Sequence, residues 1–247
     1  MKLRYSLFLL MSVWAAPALG QGGVNLAWND CGTSGQLVKS FACNSNVGVH
    51  LLYTSFVSPQ PLTQVNGIEV TVDMAFPQPT VPNWWMAQSS SPCRPNAITA
   101  NVHFLAGPNS CADPWQGAAV GGAAIQPGYP FPDRARIRAV AALPLGTFAT
   151  VDDVTEYYAV AIQISNARTV GTGSCSGCEV PACMLLTSIE LNQPVGVGNY
   201  FISQPLDNWL VGWQCSAGIG HGGCFFAPPC VTPAKAPTWG AVKGLYR

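Results

Sequence analysis

The sequence predicts an all-β protein, a two-sheet antiparallel sandwich of jelly-roll type whose long loops are held by disulfides. About ten short runs alternate apolar and polar residues, and the 25 glycines and 21 prolines are spread along the chain between them. No segment after the first 20 residues keeps an apolar period of 3.6 with helix caps. Alternate side chains of a strand face opposite sides, and many short strands between turn signals are typical of sandwiches.

The clearest run is residues 68–76, where apolar side chains alternate with Glu69, Thr71 and Asp73. This pattern predicts a strand with one buried and one exposed face. Residues 47–57 and 183–191 are apolar on both faces, which is typical of central strands covered on both sides. In chain order, the predicted strands are residues 24–28, 36–41, 47–57, 68–76, 98–104, 134–143, 158–165, 183–191, 199–203 and 209–214.

Two long segments, residues 77–95 and 107–133, carry no clear strand pattern and are predicted to be loops. Long loops in a compact domain are usually functional or cross-linked, and both of these contain a cysteine. The predicted domain organisation is a leader (1–20), a single sandwich domain (21–230) and a C-terminal tail (231–247).

The first 20 residues have the three parts of a secretory signal peptide. Lys2 and Arg4 supply the positive start, an apolar run follows, and Ala18 and Gly20 mark a small-residue cleavage site. The apolar run is shorter than the roughly 20 residues that span a bilayer, and no later segment is long enough either. The sequence therefore predicts an exported protein without a transmembrane segment, located outside the cytoplasm.

Composition excludes two classes of partner. Cleavage of the leader would remove two of the eleven basic side chains and none of the eleven acidic ones. The resulting charge, near −2, provides no basic surface for nucleic acid or an anionic membrane. Only 9% of the residues are charged, which suits a wall, a matrix or neighbouring copies as surroundings.

All ten cysteines follow the leader, and export predicts that they form disulfides. The simplest pairing joins Cys31 to Cys43 and Cys93 to Cys111, with the remaining six paired among themselves. Ten cysteines allow so many pairings that the connectivity stays open. The remaining six are Cys175, Cys178, Cys183, Cys215, Cys224 and Cys230.

An alternative interpretation is a zinc site, because thiolates at CxxC spacing are good zinc ligands. It would use Cys175 and Cys178 with two of Cys183, Cys215, His221 and Cys224. A redox-active CxxC is a further alternative, but it would require a βαβ setting that the pattern does not show. Oxidation outside the cytoplasm favours disulfides over both.

Other candidate sites are less specific. Asp152, Asp153 and Glu156 form the acidic cluster, which could hold calcium together with loop carbonyls or be a solvated turn. No other cofactor is predicted. Arg134, Arg136 and Arg138 share one strand face and could hold an anionic glycan or phosphate, or simply be solvated.

Trp84 and Trp85 are the predicted ligand-binding residues. They are adjacent in a proline-rich loop, where both rings cannot easily turn inward, and aromatic faces stack well on sugar rings. The three histidines are isolated, and no HExxH or GxSxG motif is present. The sequence predicts no catalytic residue.

Three short stretches carry a resemblance to a family. The tail 238–247 (TWGAVKGLYR), residues 25–32 (NLAWNDCG) and Cys175–Cys178 (CSGC) resemble a set of uncharacterised exported bacterial proteins. The resemblance implies bacterial export, and a shared tail suggests a sorting or attachment signal. It assigns no functional residue.

These observations favour a non-enzymatic surface or matrix domain that binds glycan through Trp84 and Trp85. The alternatives are a secreted hydrolase acting on polysaccharide, whose catalytic groups would converge only in the fold, and a self-assembling coat subunit. The oligomeric state stays open.

Overall fold

The computed structural model describes residues 22–104, 107–108 and 110–215. The predicted leader and tail lie outside these residues, as do His221, Cys224 and Cys230. The described chain forms thirteen strands and two 3-10 turns. The strands are β1 (Gly23–Trp28), β2 (Val38–Lys39), β3 (Val49–Val57), β4 (Leu62–Val65), β5 (Gly67–Ala75), β6 (Ile98–Asn101), β7 (Val120–Pro127), β8 (Arg134–Ala142), β9 (Ala149–Val151), β10 (Glu156–Ser165), β11 (Ala182–Asn192), β12 (Tyr200–Ile202) and β13 (Leu210–Trp213).

Most of the strands form two sheets, which we call the small sheet and the large sheet. The small sheet has the order β1-β3-β10-β6, and the large sheet has the order β2-β13-β11-β5-β8-β7 with β12 added to β11. All of these pairs are antiparallel except β13 with β2. Strands β4 and β9 form a third, two-stranded sheet. The predicted all-β sandwich is confirmed, whereas this strand order does not confirm a jelly roll.

The buried core lies between the small sheet and the large sheet. In β5, Ile68, Val70, Val72 and Met74 are all at most 2% exposed, as the alternation predicted. They pack in one cluster with the inward residues of β8, β10 and β11. Burying apolar side chains from both sheets is the main favourable term that holds the layers together.

Each of the ten predicted strands is present, most of them with slightly different ends. The prediction missed β4, β7 and β9, and β7 lies in a segment assigned to a loop. β7 reads Val-Gly-Gly-Ala-Ala-Ile-Gln-Pro, so its small residues hide the alternation. A Cβ on Gly121 would lie 2.5 Å from Val102 Cγ1, which explains why glycine occupies that inward position.

Both helical elements of the described chain are three-residue 3-10 turns, Gly32–Ser34 and Asn83–Trp85. Neither could cross a lipid bilayer.

Candidate functional site

The disulfides join segments that are far apart in sequence. Among the described residues, the bonds are Cys31–Cys111, Cys43–Cys178 and Cys93–Cys175, with Cα–Cα distances of 6.3, 6.0 and 5.9 Å. The predicted pairs Cys31–Cys43 and Cys93–Cys111 are therefore wrong. So is the expected pairing of the last six cysteines among themselves, because Cys175 and Cys178 are bonded to earlier cysteines. Cysteines close in sequence were wrongly expected to pair, because the strand order places each cysteine-bearing loop beside a loop that is distant in sequence.

The same bonds exclude the zinc interpretation. Cys175 and Cys178 each form a separate disulfide, so neither offers a thiolate to a metal. Cys31 and Cys111 lie near the carboxylate of Glu156, but their sulfurs are also joined to each other. Any pairing of Cys183 or Cys215 with Cys224 or Cys230 lies outside the described residues.

Trp84 and Trp85 are fully buried, each 0% exposed. The 3-10 turn Asn83–Trp85 turns both indoles inward, where Trp213 lies 5.1 Å from each, measured between ring centroids. The Trp84 indole donates to Thr169 Oγ1 over 2.9 Å. Neither ring presents a face to solvent, so these residues do not form the predicted sugar-stacking platform.

Arg94 lies over the Trp84 ring, with its guanidinium carbon 3.3 Å from the ring centroid. It is 1% exposed and donates to three backbone carbonyls, those of Trp84, Ser165 and Ala167. Burial lowers the pKa of Arg94 to about 9, which still leaves the group charged at neutral pH. The buried cation thus ties the loop after β5 to the loop after β10, next to the Cys93–Cys175 bond. We call Trp84, Trp85, Trp213 and Arg94 the tryptophan cluster.

Two of the three predicted calcium ligands, Asp152 and Glu156, are used for other contacts. Both carboxylate oxygens of Asp152 accept hydrogen bonds, from the Val154 and Thr155 amides and from the Thr155 and Tyr157 hydroxyls. These bonds, led by those from the two amides, hold the pKa of Asp152 below its ordinary value. Glu156 lies on β10 and accepts hydrogen bonds from Asn25 and Ser55 across the small sheet. Asp152 and Glu156 therefore serve separate local networks.

The outward face of the large sheet carries the three arginines of β8, and each lies near an acid. Arg136 forms two hydrogen bonds with Asp73, of 2.7 and 2.9 Å. Arg134 lies 3.3 Å from Asp133, and Arg138 lies 3.7 Å from Glu69. Because each cation has its own counter-charge, the row does not form the positive surface that an anionic glycan or phosphate would require.

A cleft opens at the end of this face where Asp73 and Arg136 lie. We call it the sheet cleft, and its volume is about 180 Å³. Tyr129 and Phe131, 38% and 61% exposed, form one wall and come from the loop between β7 and β8. Leu185 and Leu210 supply apolar surface from β11 and β13.

The polar side of the sheet cleft is held by a network on three elements. Opposite each other in the antiparallel register, Asp73 on β5 and Arg136 on β8 form the bidentate pair. Thr187 on β11 donates its hydroxyl to Asp73 Oδ2 over 3.1 Å. The Arg136 guanidinium carbon lies 4.8 Å from the Tyr129 ring centroid, a cation–π contact. The hydrogen bond and the charge of Asp73 raise the pKa of Arg136.

Sequence reasoning placed Asp73 and Arg136 on outward strand faces but missed Tyr129 and Phe131. The available signal was the alternation Tyr129-Pro130-Phe131-Pro132, because prolines restrict the backbone and so limit how aromatic residues between them can turn. The contact of Tyr129 with Arg136 depends on how the loop folds back over the sheet.

Two larger clefts have a different character. One, of about 540 Å³, lies beside the Cys93–Cys175 bond, where Arg168 is bound by the carbonyls of Pro92 and Cys93. The other, of about 760 Å³, lies at the opposite end of the large sheet and is lined by exposed apolar side chains, including Leu145, Phe148 and Val195. The sheet cleft differs from both because it combines exposed aromatic rings with an ordered polar network.

Comparisons with family models, with curated proteins and with solved structures gave no match to this chain. Three disulfides are typical of a protein outside the reducing cytoplasm.

Proposed function

We propose that this protein is an exported, non-enzymatic surface or matrix domain that binds a neutral glycan in the sheet cleft. The observation that carries the proposal is the placement of two exposed aromatic rings, Tyr129 and Phe131, beside the ordered pair of Asp73 and Arg136.

The chemistry of a sugar ring fits this combination. Its C–H faces stack on aromatic rings, while its hydroxyl groups both donate and accept hydrogen bonds. Asp73 lines the cleft and its oxygens keep further acceptor capacity, while Arg136 holds this carboxylate in place with two hydrogen bonds. Ordered polar groups are favourable partners because they have already lost the side-chain freedom that binding would cost.

Charge balance supports a neutral rather than an anionic ligand. Arg134 and Arg136 lie near Asp133 and Asp73 respectively, so the cleft carries no excess positive charge from these residues. The volume of about 180 Å³ lies below the roughly 300–1,000 Å³ of drug-sized pockets. We therefore expect the cleft to hold one ring or the end of a glycan chain rather than a long segment.

A glycan-array screen of the purified protein tests this proposal. We expect binding to neutral glycans, and we expect Tyr129→Ala combined with Phe131→Ala to weaken it at least tenfold. The matched control is Phe148→Ala combined with Phe201→Ala, which removes two exposed rings, 48% and 60% exposed, that do not line the cleft. The control should bind as the unchanged protein does.

Binding that survives loss of both cleft rings would contradict the proposal, as would a screen in which only anionic glycans bind. Release of shortened sugars from a bound polysaccharide would instead support the alternative of a secreted hydrolase.

A further inference from the structure

The cleft of about 540 Å³ lies between the loop after β5 and the loop after β10, where the Cys93–Cys175 bond joins them. We call it the disulfide cleft, and its volume falls within the roughly 300–1,000 Å³ of small-ligand sites. Arg168 is the one charged side chain among the described residues that line it. The rest of its polar lining consists of uncharged amide and hydroxyl side chains, those of Asn83, Gln88, Ser90, Ser91 and Ser174.

Arg168 is fixed both through its backbone and through its side chain. Its carbonyl accepts a hydrogen bond from the Cys175 amide over 2.8 Å, and its Nη1 donates to the carbonyls of Pro92 and Cys93 over 2.7 and 2.9 Å. Its φ of 59° lies in the left-handed region, which is costly for a residue other than glycine. An exposed arginine held in this way has already lost much of the freedom that ligand binding would cost.

The two carbonyls occupy only one end of the Arg168 guanidinium. Both bonds come from Nη1, and no other hydrogen bond of the described chain uses Nε or Nη2 of this residue. These two nitrogens present parallel N–H groups, the fork that binds a carboxylate through two hydrogen bonds. One fork and one positive charge match a group with two oxygens and one negative charge.

The positive charge of this region is not balanced by acids in the described chain. The ion pairs found there involve the three arginines of β8, and none involves Arg168 or Arg94. Arg94 is 1% exposed in the same pair of loops, where its Nε donates to the carbonyl of Ala167, next to Arg168. Both cations therefore favour an anion in the disulfide cleft, in contrast to the sheet cleft with its paired charges.

We propose that the disulfide cleft binds a small hydroxylated carboxylic acid, such as a sugar acid, through the free edge of Arg168. The ligand carboxylate pairs with Nε and Nη2. Its hydroxyl groups bind the Ser90 and Ser174 hydroxyls and the Gln88 amide, which both donate and accept hydrogen bonds. Phosphate suits the site less well, because its charge at neutral pH exceeds that of a single arginine.

Isothermal titration calorimetry with glucuronate tests the proposal, with glucose as the analogue that lacks the carboxylate. We expect glucuronate to bind at least tenfold more tightly than glucose. Arg168→Gln should weaken glucuronate binding at least tenfold, because it removes both the fork and the charge. The matched control is Arg138→Gln, which removes the same charge from an exposed arginine near Glu69 and should bind glucuronate as the unchanged protein does.

A second variant tests the site without removing the bonds from Arg168 to the loop after β5. Ser174→Glu places a carboxylate in the cleft at an exposed position, and it should weaken glucuronate binding by a similar factor. Glucuronate binding that both variants leave unchanged would overturn the proposal. So would a protein that does not bind glucuronate, or one that binds inorganic phosphate more tightly.

The disulfide cleft and the sheet cleft share no lining residue in the part of the chain that the structure describes. Tyr129→Ala with Phe131→Ala should therefore leave glucuronate binding unchanged, and Arg168→Gln should leave the binding of neutral glycans unchanged. Loss of glucuronate binding with the two aromatic rings, but not with Arg168, would place the acid in the sheet cleft and contradict the proposal. The two binding proposals can thus fail independently.

Discussion

The tryptophan cluster and the sheet cleft are both built around aromatic rings beside an arginine, but the two arginines have opposite surroundings. Arg94 is 1% exposed and is bound by backbone carbonyls against the buried Trp84 indole, whereas Arg136 is partly exposed and is bound by a carboxylate under a partly exposed tyrosine. The first arrangement joins loops. The second leaves aromatic surface and hydrogen-bonding groups open to a ligand.

This comparison shows that aromatic residues in a loop indicate a binding site only if the loop leaves them exposed. The tryptophans occupy a loop that is cross-linked by Cys93–Cys175 and tied down by Arg94, so their rings complete the core. Tyr129 and Phe131 occupy a loop that reaches over the outward face of a sheet, where no second layer covers them.

The largest expected effect separates the two regions by stability. Trp84→Ala or Trp85→Ala should each lower the free energy of unfolding by about 3–5 kcal/mol, the usual cost of truncating a buried aromatic residue. Tyr129→Ala and Phe131→Ala should each change it by about 0.5 kcal/mol or less, as for most surface substitutions. Urea unfolding followed by tryptophan fluorescence measures both, and similar losses in the two regions would contradict the comparison.

A smaller but still large effect is expected at Arg94. Replacing it with methionine keeps much of the apolar stem but leaves three carbonyls without their donor, one in a buried hydrogen bond and two in partly buried ones. A buried group left unpaired costs on the order of 1–3 kcal/mol and a partly buried one costs less, so Arg94→Met should destabilise the protein by about 3 kcal/mol. Arg168→Met, an exposed arginine that also binds carbonyls, is the control and should cost about 1 kcal/mol or less in urea unfolding.

The smallest effect concerns His50, which stacks on Phe41 beside Trp213 and shares a 2.9 Å hydrogen bond with Asn166. Burial lowers the pKa of His50 below its ordinary value of 6.5, and the charges of Lys39 and Arg94 lower it further, while the bond to Asn166 acts in the opposite direction. Below pH 6.5 the unfolded chain therefore binds a proton that the folded protein resists.

Stability should thus fall as the pH drops below 6.5, by up to about 1.4 kcal/mol per pH unit from this group until His50 also titrates in the folded state. His50→Gln should reduce that slope, and His103→Gln, at an exposed position, serves as the control. Thermal unfolding between pH 7.5 and pH 5 measures the slopes. Equal slopes for the unchanged protein and His50→Gln would show that protonation of His50 does not destabilise the folded protein.

The fold was largely predictable from local patterns, because burial of one strand face imposes a period of two on the sequence. Residues 68–76 show this clearly, and the structure places β5 at Gly67–Ala75. The pattern failed at β7, where glycine and alanine on both faces carry little contrast in hydrophobicity.

The candidate site was predictable only in part. Outward positions for Asp73 and Arg136 followed from alternation, but their bidentate pairing requires β5 and β8 to be neighbours in one particular register. The burial of Trp84 and Trp85 depends on Trp213, which is more than a hundred residues away along the chain.

The sequence by itself determined the β-rich class of this protein, the faces of its clearest strands and the presence of disulfides, because these follow from neighbouring residues and from composition. Only the tertiary structure decided which cysteines meet and which aromatic rings are covered. Those features depend on contacts between segments distant in the chain, and a local pattern carries no record of which distant segment will pack against it.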